Sequence, residues 1–173
     1  MSLFSHQKGV GLLEVLVALM LLAIAVLGFT AMQLKATNVS LEADNNTHAI
    51  EIARDLHERM RTNREGISAA FEGVIYNTAT APTNCRTTNC TPLQLAQYDF
   101  ATANAQAGEF GMSMAIQQCP ISNANHERRH CIYVAWGDTT PTLGTTATDC
   151  ADNNTYRPNA QCIFMESFSY ARP

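Results

Sequence analysis

The longest apolar stretch of the chain lies near its start and leads directly into a segment with helical periodicity. Residues 10–32 contain a single charge, Glu14, and a membrane-spanning helix needs about 20 apolar residues. Asn63 and Gly66 are the expected stop signals, and proline is absent up to that point. The pattern therefore predicts one helix over Val10–Arg64. Its second half has one apolar face, formed by Ala49, Ile52, Ala53, Leu56 and Met60.

The rest of the chain alternates between loop-like and strand-like segments. Asn77–Thr91 and Gly137–Gln161 are rich in Thr and Asn and predict loops, whereas Pro92–Tyr98 predicts a short helix. The expected strands are Phe110–Gln118, Cys131–Trp136 and Cys162–Tyr170. A long N-terminal helix packed on a small antiparallel sheet, in the α+β class, follows from this order.

The cysteines restrict the compartment of the second half of the chain. All six lie beyond the apolar stretch, and an even count in a Thr/Asn-rich domain is typical of disulfides in an oxidising compartment. Six cysteines allow fifteen pairings. We favour sequential neighbours, and zinc is the alternative, although no CxxC spacing supports it. The favoured pairs are Cys85–Cys90, Cys119–Cys131 and Cys150–Cys162.

The apolar stretch differs from an ordinary secretory signal. Such a signal has an apolar core of about 7–15 residues that ends at a small-residue cleavage site. Here the stretch is longer and runs into more helix, so the segment is expected to stay on the protein. Lys8 in front of it favours a cytoplasmic N-terminus and a periplasmic head. An uncleaved single-pass anchor is the alternative, but it does not explain why Glu14 follows Gly9 so closely.

The residues around Gly9 resemble the prepilin leader and N-terminal helix of type IV pilins. In that family a prepilin peptidase cleaves after the glycine and the new N-terminus is methylated, which implies processing between Gly9 and Val10. The family keeps the glutamate for assembly, which implies that role for Glu14. The resemblance also implies the pilin fold, in which a long N-terminal helix packs on a small antiparallel sheet, and it implies no cofactor.

Two features favour a minor pilin over the main filament subunit. Val10 and Gly11 stand where the family usually has Phe and then Thr or Ser, and the proline that often kinks the membrane helix of major pilins is missing. In addition, Ile52–Arg64 ends in Arg-Met-Arg-Thr-Asn-Arg and resembles the type IV pilus modification protein (PilV) class of minor pilins. The resemblance implies a subunit that joins other minor pilins and the major pilin near the fibre tip. There it would prime assembly and support twitching motility, adhesion or DNA uptake.

This interpretation divides the chain into four segments. Residues 1–9 form the cleaved leader, 10–32 the transmembrane and assembly helix, 33–66 the periplasmic half of the same helix, and 67–173 the globular head. The expected partners are other pilins, the prepilin peptidase and the bacterial inner membrane. A small-molecule substrate is not expected. With a net charge of −4, DNA binding is not expected either.

Three other functions share part of this pattern. A minor pseudopilin of a type II secretion system would share the leader and the helix, and an adhesive or DNA-uptake pilin would show an exposed aromatic or basic patch. An enzyme would rest on His126-Glu127-Arg128-Arg129-His130, which spells the H-E-x-x-H zinc-protease motif. That motif requires a helix. Its neighbours here predict a hairpin connection instead, with Arg128-Arg129-His130 at a solvated loop tip.

Overall fold

The computed structural model describes residues 11–71, 83–119, 128–152 and 155–169. The chain divides into two compact units, Met1–Ala43 and Asp44–Pro173. In chain order the helices and strands are α1 (Leu12–Thr62), α2 (Arg64–Phe71), α3 (Pro92–Glu109), β1 (Ser113–Gln118), β2 (Arg128–Ala135), β3 (Thr140–Leu143), β4 (Asp149–Ala151) and β5 (Cys162–Ser169).

The second unit is built on a three-stranded antiparallel sheet in the order β1-β2-β5. In the middle of the sheet Val134 pairs with Met114 of β1, and Ile132 pairs with Met165 of β5. Because side chains alternate along a strand, these residues share one face, which belongs to the main hydrophobic core. The same core takes in the predicted apolar face of α1 together with Phe100, Ala103 and Ala107 of α3. The predicted α+β class, with a long N-terminal helix and a small antiparallel sheet, is confirmed.

The opposite face of the sheet is covered by a small second core that is rich in cystine. Tyr133 and Ala135 of β2 lie there with two disulfides, and Leu143, Ala160 and Phe164 pack against them. The structure contains three disulfides, and they join the sequence neighbours favoured above: Cys85–Cys90, Cys119–Cys131 and Cys150–Cys162.

The segment 137–161 was expected to be a loop, and that expectation is wrong in part. It contains β3 and β4, which form a two-stranded parallel sheet. The buried Asp149 carboxylate organises the turn between them, because it accepts hydrogen bonds from the hydroxyls of Thr142 and Thr146 and from the Thr146 N–H, each at 2.7 Å. A Cβ at Gly144 would collide with that carboxylate, so a larger residue there would displace the carboxylate from its hydrogen bonds.

Helix α3 is longer than the short helix expected from the sequence. It starts as predicted at Thr91, whose hydroxyl accepts from the Gln94 N–H while the Gln94 side chain accepts from the Thr91 N–H. The helix then continues to Glu109, because the segment after Tyr98 is rich in alanine and contains no proline. Phe110, expected in the first strand, caps the end of α3 instead and stacks on His48 of α1 with ring centroids 4.2 Å apart.

Candidate functional site

The first unit offers the clearest functional surface, which is the apolar start of α1. We call residues 12–43 of this helix the stem. An 18-residue window of α1 has a mean hydropathy of 2.8, and no part of that window is buried. Leu12 is 80% exposed and Met32 is 74% exposed. Such a surface is unfavourable in water at roughly 25 cal/mol per Å², so it requires lipid or protein around it.

Two hydroxyl groups of the stem form hydrogen bonds within the helix. The Thr30 hydroxyl donates to the Leu27 carbonyl oxygen at 2.9 Å, and the Thr37 hydroxyl donates to the Gln33 carbonyl oxygen at 3.0 Å. The helix also passes through Gly28 without interruption. The helical backbone and these two hydroxyl groups are therefore satisfied within the helix, as a lipid or bundle environment requires.

Glu14 lies in the first turn of α1. Its N–H donates to the Gly11 carbonyl oxygen at 2.9 Å, and its side chain has no hydrogen-bond or ion-pair partner among the described residues. A carboxylate in this place is favoured by the helix dipole. The expected processing residues, Gly9 and Val10, lie outside the described residues, so the structure does not test them.

The Arg-Met-Arg-Thr-Asn-Arg run lies where α1 meets α3, in the second unit. The Arg59 guanidinium donates to Asp55 at 2.9 Å and to Asp99 of α3 at 3.2 Å, while Met60 is buried in the main core. Arg59 and Asp99 also line a cavity of about 10 Å³ with Ile67 and Ile116. The contact of Asp99 with α1 could not be predicted from the sequence, because it forms only if α3 extends past Tyr98.

The charges of this junction are only partly compensated. Burial raises the pKa of the Asp99 carboxyl, and the Arg59 guanidinium beside it only partly opposes that shift. The hydrogen bond to Asp55 raises the pKa of Arg59. Side chains of this kind hold two helices in register.

Asn63 ends α1 as expected, whereas Gly66 does not stop the helix. The Asn63 side-chain oxygen accepts from the Gly66 N–H at 3.2 Å and so caps the new helix α2, which contains Gly66. The Asn63 amide also donates to the Pro92 carbonyl oxygen at 2.8 Å. A Cβ at Gly66 would collide with that same carbonyl group, so the glycine is required by the close approach of α2 to α3.

The H-E-x-x-H segment does not adopt the geometry of a zinc site where it is described. Arg128, Arg129 and His130 belong to β2, so the expectation of a solvated loop tip is wrong for these residues. His130 is buried, and the Arg129 guanidinium lies 3.6 Å from the Glu166 carboxylate. His126 and Glu127 lie outside the described residues. A histidine on a strand cannot be the second ligand of a helical i, i+4 pair.

One further group of residues has the spacing expected of metal ligands. Cys119, Cys131 and Glu166 place a sulfur or oxygen atom within 4.8 Å of one another. The two cysteines are joined in a disulfide, and a metal binds thiolates rather than cystine sulfur. The two cysteines therefore belong to the cystine-rich core.

Comparison with known proteins gave two family matches. The prokaryotic N-terminal methylation motif matches residues 4–30, and the Tt1218-like family, described as type IV pilin Tt1218, matches residues 31–101. No curated protein and no solved structure matches significantly. Together with the long apolar helix and the disulfide-tied sheet, the two matches show that the chain is similar to type IV pilins and carries a prepilin N-terminal methylation motif.

Proposed function

We propose that the protein is a minor pilin of the PilV class, which joins other minor pilins in a complex that primes type IV pilus assembly. The observation that carries this proposal is the exposed apolar stem, whose first half carries a single carboxylate, Glu14, within the N-terminal methylation motif matched over residues 4–30. The stem is the part of the molecule that needs a partner, and the head contributes stability and contact surface.

Maturation follows from the motif and from the position of Lys8. We propose that a prepilin peptidase cleaves between Gly9 and Val10 and that Val10 is then N-methylated. Before assembly, the subunit would lie in the inner membrane with its N-terminus in the cytoplasm and its head in the periplasm. Intact-mass analysis of the assembled protein tests this step, because retention of Met1 or Ser2 would contradict it.

One face of the stem is suited to pack against a parallel helix. Every seventh residue on that face is a large apolar side chain, and each is more than half exposed: Leu13, Met20, Leu27, Leu34 and Leu41. A repeat of this period keeps one seam in contact along two helices. The lipid contacts of the stem can therefore be exchanged for helix contacts during assembly.

Glu14 would make the exchange of lipid contacts for helix contacts selective for a neighbouring pilin stem. In the mature protein the N-terminal amine of Val10 stands four positions before Glu14 in the sequence, a spacing at which a helix brings two charges close enough to neutralise each other. In a fibre, the carboxylate can meet the N-terminal amine of a neighbouring stem instead, which fixes the axial position of the subunit. A carboxylate without any positive partner is costly in an apolar environment.

Substitution of Glu14 tests the assembly role. Glu14→Ala is expected to leave membrane level and processing near wild type while sheared-pilus yield falls at least several-fold. Glu58→Ala is the matched control, since Glu58 lies on the same helix and makes only an exposed ion pair with Arg61 at 3.8 Å. Wild-type yield from the Glu14 variant would contradict the proposal. Pull-down from membranes identifies the partners, and recovery of secretion pseudopilins in place of pilins would favour the type II secretion alternative.

A further inference from the structure

The stem carries a second charge, Lys35, whose position relative to Glu14 has a simple physical meaning. The twenty residues from Val15 to Leu34 contain no charge, and they belong to one unbroken helix. At 1.5 Å per residue they span about 30 Å, which is the thickness of a bilayer hydrocarbon core. The helix passes through Gly28 without a break, so this rise applies along the whole segment.

The ammonium group of Lys35 has no hydrogen-bond or ion-pair partner in the part of the chain that the structure describes. The next cation along the helix is Arg54, nineteen residues further on. Lys8 and Lys35 are the only lysines in the sequence, so Lys35 is the only lysine left once the leader is removed. A lysine side chain is long enough to hold its charge in the headgroup layer while its carbons stay in contact with lipid.

We infer that Lys35 is the outer membrane-interface anchor of the stem and that its ammonium contacts phospholipid headgroup phosphates of the periplasmic leaflet. Glu14 and Lys35 then lie at opposite interfaces, and neither charge enters the hydrocarbon. The depth of the stored subunit is set by this pair of charges, and the spanning segment ends at Leu34. The inference rests on the proposed membrane orientation of the stem but not on fibre assembly.

The contact of Lys35 with lipid headgroups can be measured directly, because the mature chain contains a single lysine. Mature protein with isotope-labelled lysine nitrogen is placed in phosphatidylethanolamine–phosphatidylglycerol vesicles, in a phosphate-free buffer. Solid-state magnetic resonance should show dephasing of the single lysine signal by lipid phosphorus. In the control, Lys35→Arg with Arg54→Lys moves the only lysine nineteen residues along the helix, and dephasing should disappear. A Lys35 signal unaffected by lipid phosphorus would overturn the inference.

The depth of the helix is measured separately by labelling of single engineered thiols. All six natural cysteines are in disulfides, so one added cysteine is the only free thiol. With a membrane-impermeant maleimide, Ala31→Cys should be protected and Asn38→Cys should react. Adding Lys35→Leu should slow labelling of Asn38→Cys by about fivefold, because one interfacial anchor is lost. Lys35→Arg should leave the rate unchanged.

Two outcomes would overturn the depth assignment. One is protection of Asn38→Cys in the otherwise unchanged chain, and the other is equal labelling with and without Lys35→Leu. The first measurement needs no substitution at Lys35, so it remains decisive even if that variant inserts poorly. The vesicles hold no other pilin, and a loss of pilus yield in cells therefore bears on the proposed assembly role alone.

Discussion

Tyr133 is a fully buried residue whose hydroxyl group is expected to lower the stability of the head. It lies in the cystine-rich core, with its ring 5.8 Å from that of Phe164. Among the described residues its hydroxyl has no hydrogen-bond partner. Burial, with smaller contributions from Tyr156 and Glu166, raises the pKa of Tyr133 from 10.0 to about 12. The neutral phenol is therefore strongly preferred in the folded state.

Tyr133→Phe should stabilise the head by about 1 kcal/mol, because it removes a buried hydroxyl that makes no hydrogen bond. The wild-type protein should also lose stability as pH rises from 10 to 12, since the tyrosine ionises in the unfolded chain before it does so in the folded one. The variant should lose less over this range. Chemical denaturation of the disulfide-intact protein at several pH values measures both effects, and a destabilised variant would show that the hydroxyl has a partner.

Asp149 is the opposite case, a carboxylate whose ionised form is favoured by folding. Hydrogen bonds from the Thr146 and Thr142 side chains lower its pKa, so its contribution is present above the ordinary carboxyl range and is lost as pH falls through the lowered value. Asp149→Asn should therefore lower the unfolding free energy at neutral pH, and the difference should narrow in acid. Asp138→Asn, at an exposed turn residue, is the control. An equal effect of Asp149→Asn at all pH values would rule out this account.

At the scale of elements, α2 and α3 can approach each other closely because Gly66 has no side chain. Gly66→Ala should cost about 1–3 kcal/mol, because its methyl group would force the two helices apart. Gly108→Ala is the matched control, because Gly108 also lies in a helix but a Cβ there meets no atom within 4 Å. That control should stabilise the protein by about 0.5–1 kcal/mol through helix propensity. Thermal unfolding compares the two variants, and effects of the same sign would contradict the steric explanation.

The elements that the sequence predicted well are those with a strong local pattern. The long helix, its end at Asn63, the start of α3 at Thr91 and the three strands of the main sheet follow from periodicity and capping residues. Strands β3 and β4 were missed because they have four and three residues and are held by the Asp149 side chain, which is tertiary information. The assembly role of Glu14 came from the resemblance to prepilin leaders and stays a prediction. The contact of Arg59 with Asp99 joins residues forty positions apart and could not be found from a local pattern.

At the scale of the whole molecule, the disulfides differ in what they connect. Cys150 lies in β4 and Cys162 begins β5, so this bond joins the parallel pair to the main sheet. Cys119–Cys131 ties the residue after β1 to the middle of β2 and is also buried. Cys85–Cys90 closes a shorter and more exposed loop that precedes α3.

Removing a disulfide should lower the free energy of unfolding by an amount that grows with the length of the loop it closes. Replacing Cys150 and Cys162 together, or Cys119 and Cys131 together, by alanine should cost about 3 kcal/mol, whereas replacing Cys85 and Cys90 should cost about 2 kcal/mol. The difference reflects sequence separations of 12, 12 and 5 residues. Denaturant unfolding of the three double variants measures it, and a larger loss for the Cys85–Cys90 pair would contradict the loop-entropy argument.

The order of the cysteines along the chain also has a consequence for biogenesis. Each disulfide joins one cysteine to the next, and no bond crosses or encloses another. A chain exported from its N-terminal anchor towards its C-terminus presents the cysteines in that same order. The first oxidation available to each new thiol is then the native one, because its partner has just emerged and the earlier pairs are already closed. Export of this subunit should therefore need a thiol oxidase but little help from a disulfide isomerase.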